Sequence, residues 1–205
     1  METSRLEAFA DGIFAIAATL LIIYVSADAP GGGLGAALQH HWPEYAAYAV
    51  TFATIGIWWV NHHVVMSLID RANRPFLFAN IALLACIAFL PYPTKLVGEH
   101  FRDNGARAAV VAYGVTMTAA AVCFWLVWFY AAIGRRLIAE SVPQREVDHI
   151  TRSIIPGVPI NALAILLAVW SPRAAMVLFA ALTLFYVVGA TLLEREMEAV
   201  GIEST

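Results

Sequence analysis

Charge is scarce in this chain. Only 13% of its 205 residues are Asp, Glu, Lys or Arg, and the formal net charge is −3. So small a balance offers nucleic acid nothing to hold and argues against it as a partner. Cysteine is rarer still. The two present, Cys86 and Cys123, sit inside apolar runs, so neither a disulfide framework nor a CxxC motif is available, and both read as small core hydrophobes. There is no GxSxG, no HExxH, no i, i+4 histidine pair and no pair of mid-span aspartates. His62 and His63 are adjacent and point about 100° apart on a helix, which is poor geometry for one shared ion. An enzyme is not expected, and neither is a metal or any other bound cofactor.

What the chain has is apolar length. Its hydrophobic fraction is 61% and its mean hydropathy +0.74, which places it in the polytopic membrane class, in contact with lipid. A bilayer core needs about 20 apolar residues per helix, so a chain of this length holds about six spans. The apolar runs fall at roughly 7–26, 44–69, 76–97, 107–132, 150–170 and 173–194. They predict a single all-α domain over residues 1–205. The breaker Ala29-Pro30-Gly31-Gly32-Gly33 separates the first two runs. A mixed-charge loop is predicted from Lys95 to Arg107, after a kink at Pro91-Tyr92-Pro93, and the longest polar stretch runs from Arg135 to Arg152. Asp11 interrupts the first run, which makes a poor signal peptide.

With a cytoplasmic N-terminus, the inner side carries Arg5, Arg71, Arg74, Arg135, Arg136, Arg145, Arg152 and Arg195. The outer side then carries only Lys95, Arg102, Arg107 and Arg173. That imbalance satisfies the positive-inside rule and predicts both termini in the cytoplasm.

The first run holds the most specific features. At 100° per residue, Gly12, Ile16, Thr19 and Ile23 fall within about 60° of one another, with Leu20 at their edge. Asp11 lies roughly 100° away from them, on another face. A stripe of branched apolar residues plus one hydroxyl suits the lining of a narrow pore. A carboxylate within a span costs a few kcal/mol unless it faces protein or water. On the second run Trp59, Asn61, His62 and His63 reach about the depth of Asp11, so an Asp11–His62 pair is predicted, with Arg5 able to join it. Such a cluster can be an inter-helix latch or a proton-sensing switch, and the residues leave both open.

The later runs read as scaffold. Asn80 marks the third. The fourth is small early, then aromatic at Phe124, Trp125, Trp128, Phe129 and Tyr130, which fit a cytoplasmic aromatic belt. Pro156, Pro159 and Asn161 suggest a kink whose amide satisfies the backbone. His40 and His41, before Trp42-Pro43, read as solvated at the outer interface.

The run Arg5-Leu-Glu-Ala-Phe9-Ala10-Asp11, with Ala15 and Thr19-Leu20 after it, resembles the Arg-x-x-x-Phe-Ser-Asp signature of the transmembrane protein 175 family. Trp59-Val-Asn-His62-His63 resembles that family's Trp-x-x-His element. The family comprises endosomal and lysosomal potassium channels, and the likeness is to its single-repeat prokaryotic members. The resemblance implies a homotetramer of six-span protomers in a prokaryotic inner membrane, with four first helices around a potassium-conducting pore. It assigns constrictions to Ile16, Leu20 and Ile23, cation preference to Thr19, and a polar network behind the pore to Arg5, Phe9, Asp11, Trp59 and His62. A Thr-Val-Gly-Tyr-Gly filter is absent. Ala10 departs from the family, which has Ser there, and leaves the local hydrogen bonding open. The expected activity is passive, potassium-preferring conduction through hydrophobic constrictions. The alternatives are a secondary transporter and a non-conducting membrane scaffold or sensor.

Overall fold

Helix α1 (Ser4–Leu20) buries Leu6, Ala10, Phe14 and Ala17, and Leu21 continues the line. Spacings of three and four put these side chains on one helical stripe, which packs against α3 and α4. Past Leu20 the helix tightens into a 3₁₀ turn over Leu21–Tyr24. The structure is a computed structural model that describes residues 3–26, 28 and 32–199, with side chains through 188. Ala29, Pro30 and Gly31 of the expected breaker lie outside the described residues, as does the side chain of Arg195.

A short helix α2 (Leu34–His40) precedes α3 (Trp42–Ser67), which starts with Pro43 in its first turn, where no backbone donor is needed. Asn73 caps α4 (Arg74–Phe89), its side chain accepting the Phe76 N–H at 3.1 Å. Helix α5 (Pro91–His100) continues almost without a break. Leu90 between them keeps helical angles, and Pro91 and Pro93 fall in the first turn of α5. The loop predicted from Lys95 to Arg107 is therefore corrected: Lys95 to His100 are helical, and only residues 101–105 connect to α6 (Ala106–Ala132).

Helix α6 is the centre of the bundle and packs on α4, α5 and α8. Tyr113, Val110, Ala120, Val127 and Trp128 are fully buried along it. The aromatics expected in an interfacial belt divide accordingly. Trp128 and Phe124 are core residues, because neighbours surround this helix, and only Trp125, Phe129 and Tyr130 are half-buried. Trp128 Nε1 donates to Thr151 Oγ1 at 2.9 Å and Trp125 Nε1 to the Ile154 carbonyl at 2.8 Å. Both indoles tie α6 to α7 (Gln144–Ile154), an amphipathic helix inside the stretch expected to be polar.

A break at Ile155 and Pro156 leads into α8 (Gly157–Trp170), where Asn161 Nδ2 donates to the Gly157 carbonyl at 2.8 Å. Helix α9 (Pro172–Ala199) closes the chain. Buried hydroxyls add polar ties between helices: Thr94 to Thr51 at 3.1 Å and Thr51 to Tyr113 at 3.3 Å join α5, α3 and α6. Four stretches are long and apolar enough to cross a bilayer, Ser4–Tyr24, Arg74–His100, Ala106–Arg135 and Gln144–Trp170. Helix α3 matches them in length but carries Glu44, Asn61, His62 and His63. Among the described residues the architecture is all-helical, with one isolated backbone bridge, Ile69 to Ile138.

The candidate pore helix and its polar brace

With one stripe of α1 buried, the opposite arc is left open. Ile16 is 59% exposed and Ile23 70%, with Gly12 and Thr19 also exposed between and before them. Leu20, at the edge of this arc, is only just exposed. These are the residues the sequence groups on one stripe, and the structure places all of them on the face turned away from the rest of the chain. A Cβ on Gly12 would meet nothing within 4 Å. Thr19 donates its hydroxyl hydrogen back to the Ala15 carbonyl at 2.9 Å, with the Ile16 carbonyl at 3.0 Å. That bond fixes the rotor and leaves the oxygen lone pairs free to face outward.

On the flank of the same arc, Asp11 accepts a hydrogen bond from Trp59 Nε1 of α3 at 2.8 Å. The Trp59 ring stacks on His63 with centroids 6.4 Å apart. The predicted Asp11–His62 pair is not formed. His62 is buried on the side of α3 turned to α4, and its Nε2 lies 3.0 Å from Asn80 Oδ1. Asn80 in turn donates from Nδ2 to the Phe76 carbonyl at 2.9 Å, so its oxygen faces the ring and His62 carries the proton on Nε2. The His62 ring also packs on Phe14 of α1, centroids 5.6 Å apart. Two contacts therefore couple α1 to α3, Asp11 to Trp59 on the open flank and Phe14 to His62 inside. Each pair is three residues from the other along its helix. Arg5 and Phe9 are exposed, and among the described residues Arg5 has no ion-pair partner. Ala10 is fully buried in this region, with no polar atom to satisfy.

Sequence reading missed Asn80 as the partner of His62. Its signal was a lone amide in a long apolar run. It also missed the far end of α1, where His41 and Glu44 meet the backbone of Ser26 and Asp28. His41, expected to be solvated, instead has both ring nitrogens engaged, and the i, i+3 spacing of His41 and Glu44 was the available clue. Among the described residues no cluster of His, Cys, Asp or Glu could hold a metal ion.

Comparison with known proteins bears on this geometry. Residues 5–91, which include α1 and the Trp59–His63 run, match the family described as endosomal/lysosomal potassium channel TMEM175. A potassium channel of Chamaesiphon minutus is 38% identical over 176 residues, covering 82% of this chain and 87% of that protein. The chain belongs to the TMEM175 family. A potassium channel of Streptomyces collinus is 45% identical over 133 residues, covering 63% of this chain and 64% of that one. The crystal structure of a lysosomal potassium-selective channel TMEM175 homolog from Chamaesiphon minutus superposes with a TM-score of 0.83 at 34% identity. That alignment covers 91% of this chain and 97% of the other. The TMEM175 chain described here is thus an integral membrane ion-channel protein and not an enzyme.

Proposed function

We propose that this TMEM175 chain is a passive, potassium-preferring cation channel, built as a homotetramer of six-span protomers around a central axis. The spans are Ser4–Tyr24, α3, the α4–α5 unit, α6 with its following turn, the α7–α8 unit and α9. Four copies of α1 line the axis. Ile16, Leu20 and Ile23 form apolar rings that gate by dewetting, and Thr19 supplies the oxygen that favours a partly dehydrated cation. Arg5, Phe9, Asp11, Trp59 and His62 form the structure behind the pore, where Asp11–Trp59 and Phe14–His62 hold α1 against α3. Both termini face the cytoplasm of a prokaryotic cell, by the distribution of arginines.

One observation carries the proposal: α1 exposes Ile16, Thr19 and Ile23 opposite its buried stripe, leaving a hydroxyl that lipid has no reason to meet. The potassium-channel relatives support the choice of ion. Purified protein in potassium-loaded liposomes tests it. Potassium efflux faster than sodium efflux, and not saturating at low turnover as a carrier would, is expected. Absence of potassium flux would mean a scaffold or sensor instead.

A further inference from the structure

The 3₁₀ turn that carries Ile23 runs directly into Ser26 and Asp28, and both are held by the start of α3. The Ser26 N–H donates to Glu44 Oε2 at 2.6 Å. His41 Nδ1 lies 2.7 Å from Glu44 Oε1, and His41 Nε2 lies 3.0 Å from the backbone carbonyl oxygen of Asp28. Both partners of His41 are acceptors only. A neutral imidazole has a single N–H and can serve just one of them. The two bonds coexist only in the imidazolium. Glu44 has little room to turn away, because Gly98 of α5 lies against it: a Cβ there would sit 2.9 Å from its Cγ and 3.1 Å from its Cα. Glu44 is also 9% exposed, so its carboxylate is the dominant local counter-charge.

We propose that His41, Glu44 and the backbone of Ser26 and Asp28 form a proton-operated latch on the pore helix. With His41 charged, the end of α1 is pinned to α3 and Ile23 stays on the axis. When the proton leaves, one of the three bonds is lost, the hold on the turn weakens and potassium flux rises. The latch rests on the pore reading above, whose regulation it supplies.

The sign follows from His41 itself. Hydrogen bonding to Glu44, then to the Asp28 carbonyl, raises its pKa above the ordinary 6.5. The pinned state is therefore fully favoured below that ordinary value and is lost as pH climbs through the raised one. Other ionisable groups surround the ring. His40 meets it edge-on at 5.0 Å between centroids, and the Asp28 carboxyl is beside it. On α5, Lys95 pairs with Glu99 at 3.6 Å and lies over the Tyr24 ring. Arg102 donates to the Gln39 carbonyl at 3.3 Å and sits over Trp42. His40 is the only other imidazole among them, which makes it the control.

The test is potassium flux in proteoliposomes at equal pH on both sides, scanned from about pH 5 to about pH 9 across the histidine range. Wild type should show one rising step with its midpoint above 6.5. His41→Gln should stay at the alkaline level throughout, and His41→Arg, which keeps charge and donors, at the acid level. Glu44→Gln removes the counter-charge and should move the midpoint down, whereas His40→Gln should leave it unchanged. A nitroxide on Asp28→Cys, with Cys86 and Cys123 replaced by Ala, reads the latch without needing flux, since the hydrogen bond uses the backbone of Asp28, while loss of its carboxyl removes one of the charges that raise the His41 pKa. Its mobility should rise with pH in a single step across the histidine range, at a midpoint below the wild-type one. No flux from any variant at any pH would defeat the pore reading, and the label would still judge the latch. A step that survives His41→Gln, a step of opposite sign, or a label indifferent to pH would each overturn the proposal.

Discussion

His62 and Asn80 are a closed pair. Each is buried, and the Asn80 oxygen that faces His62 is oriented by an Nδ2 hydrogen given to the Phe76 carbonyl. His62→Ala should therefore cost about 1–3 kcal/mol, the usual penalty for a buried polar group left unpaired. The expected outcome is a lower melting temperature in detergent, with normal potassium flux from the channels that remain folded. Unchanged stability would mean that Asn80 finds water in place of the ring. Asp11 stands apart from this pair. Its partner is an exposed indole, so Asp11→Asn, which keeps an acceptor oxygen, is expected to disturb the fold far less. The chemistry of each of these residues was readable from the sequence, because polar side chains in apolar runs must find partners. Which partner was not. Depth alone matched Asp11 to His62, but the rotation of α3 decides that His62 looks toward α4, and rotation depends on packing across three helices.

At the scale of elements, the exposed arc of α1 was legible as a stripe, since Gly12, Ile16, Thr19 and Ile23 share one face in both sequence and structure. The prolines misled. Pro91 and Pro93 read as a kink followed by a loop from Lys95, yet each sits in the first turn of α5, where a missing N–H costs nothing, and the helix runs on to His100. The aromatic end of α6 misled for another reason: a Trp reads the same whether it meets lipid headgroups or neighbouring helices, and only the central place of α6 makes Trp128 a core residue. The extension of α5 has a consequence. Gly98 falls on that added turn and meets α3 at Glu44, with no space for a methyl group. Gly98→Ala should overpack this contact and cost about 1–3 kcal/mol, read as a drop in melting temperature. A variant as stable as wild type would show that α3 and α5 are more loosely apposed than 2.9 Å implies.

For the whole molecule, the open arc of α1 is the feature that a lone protomer leaves unexplained. Ile16 and Ile23 suit lipid, but Thr19, Asp11 and the edge of Trp59 do not. The four copies proposed above would turn Thr19 toward a shared axis and away from lipid. Native mass measurement in mild detergent should give four chains per particle, and a fully active monomer would contradict the assembly. The central claim, that α1 lines the conducting path with Ile23 at a constriction, is tested most directly by potassium flux from liposomes containing Ile23→Asn and Ile22→Asn. Both residues are exposed, but they lie about 100–120° apart around the helix, so only one can face the axis. Ile23→Asn should wet the ring and raise basal flux well above wild type, while Ile22→Asn should leave it unchanged. Equal behaviour of the two variants would contradict the claim.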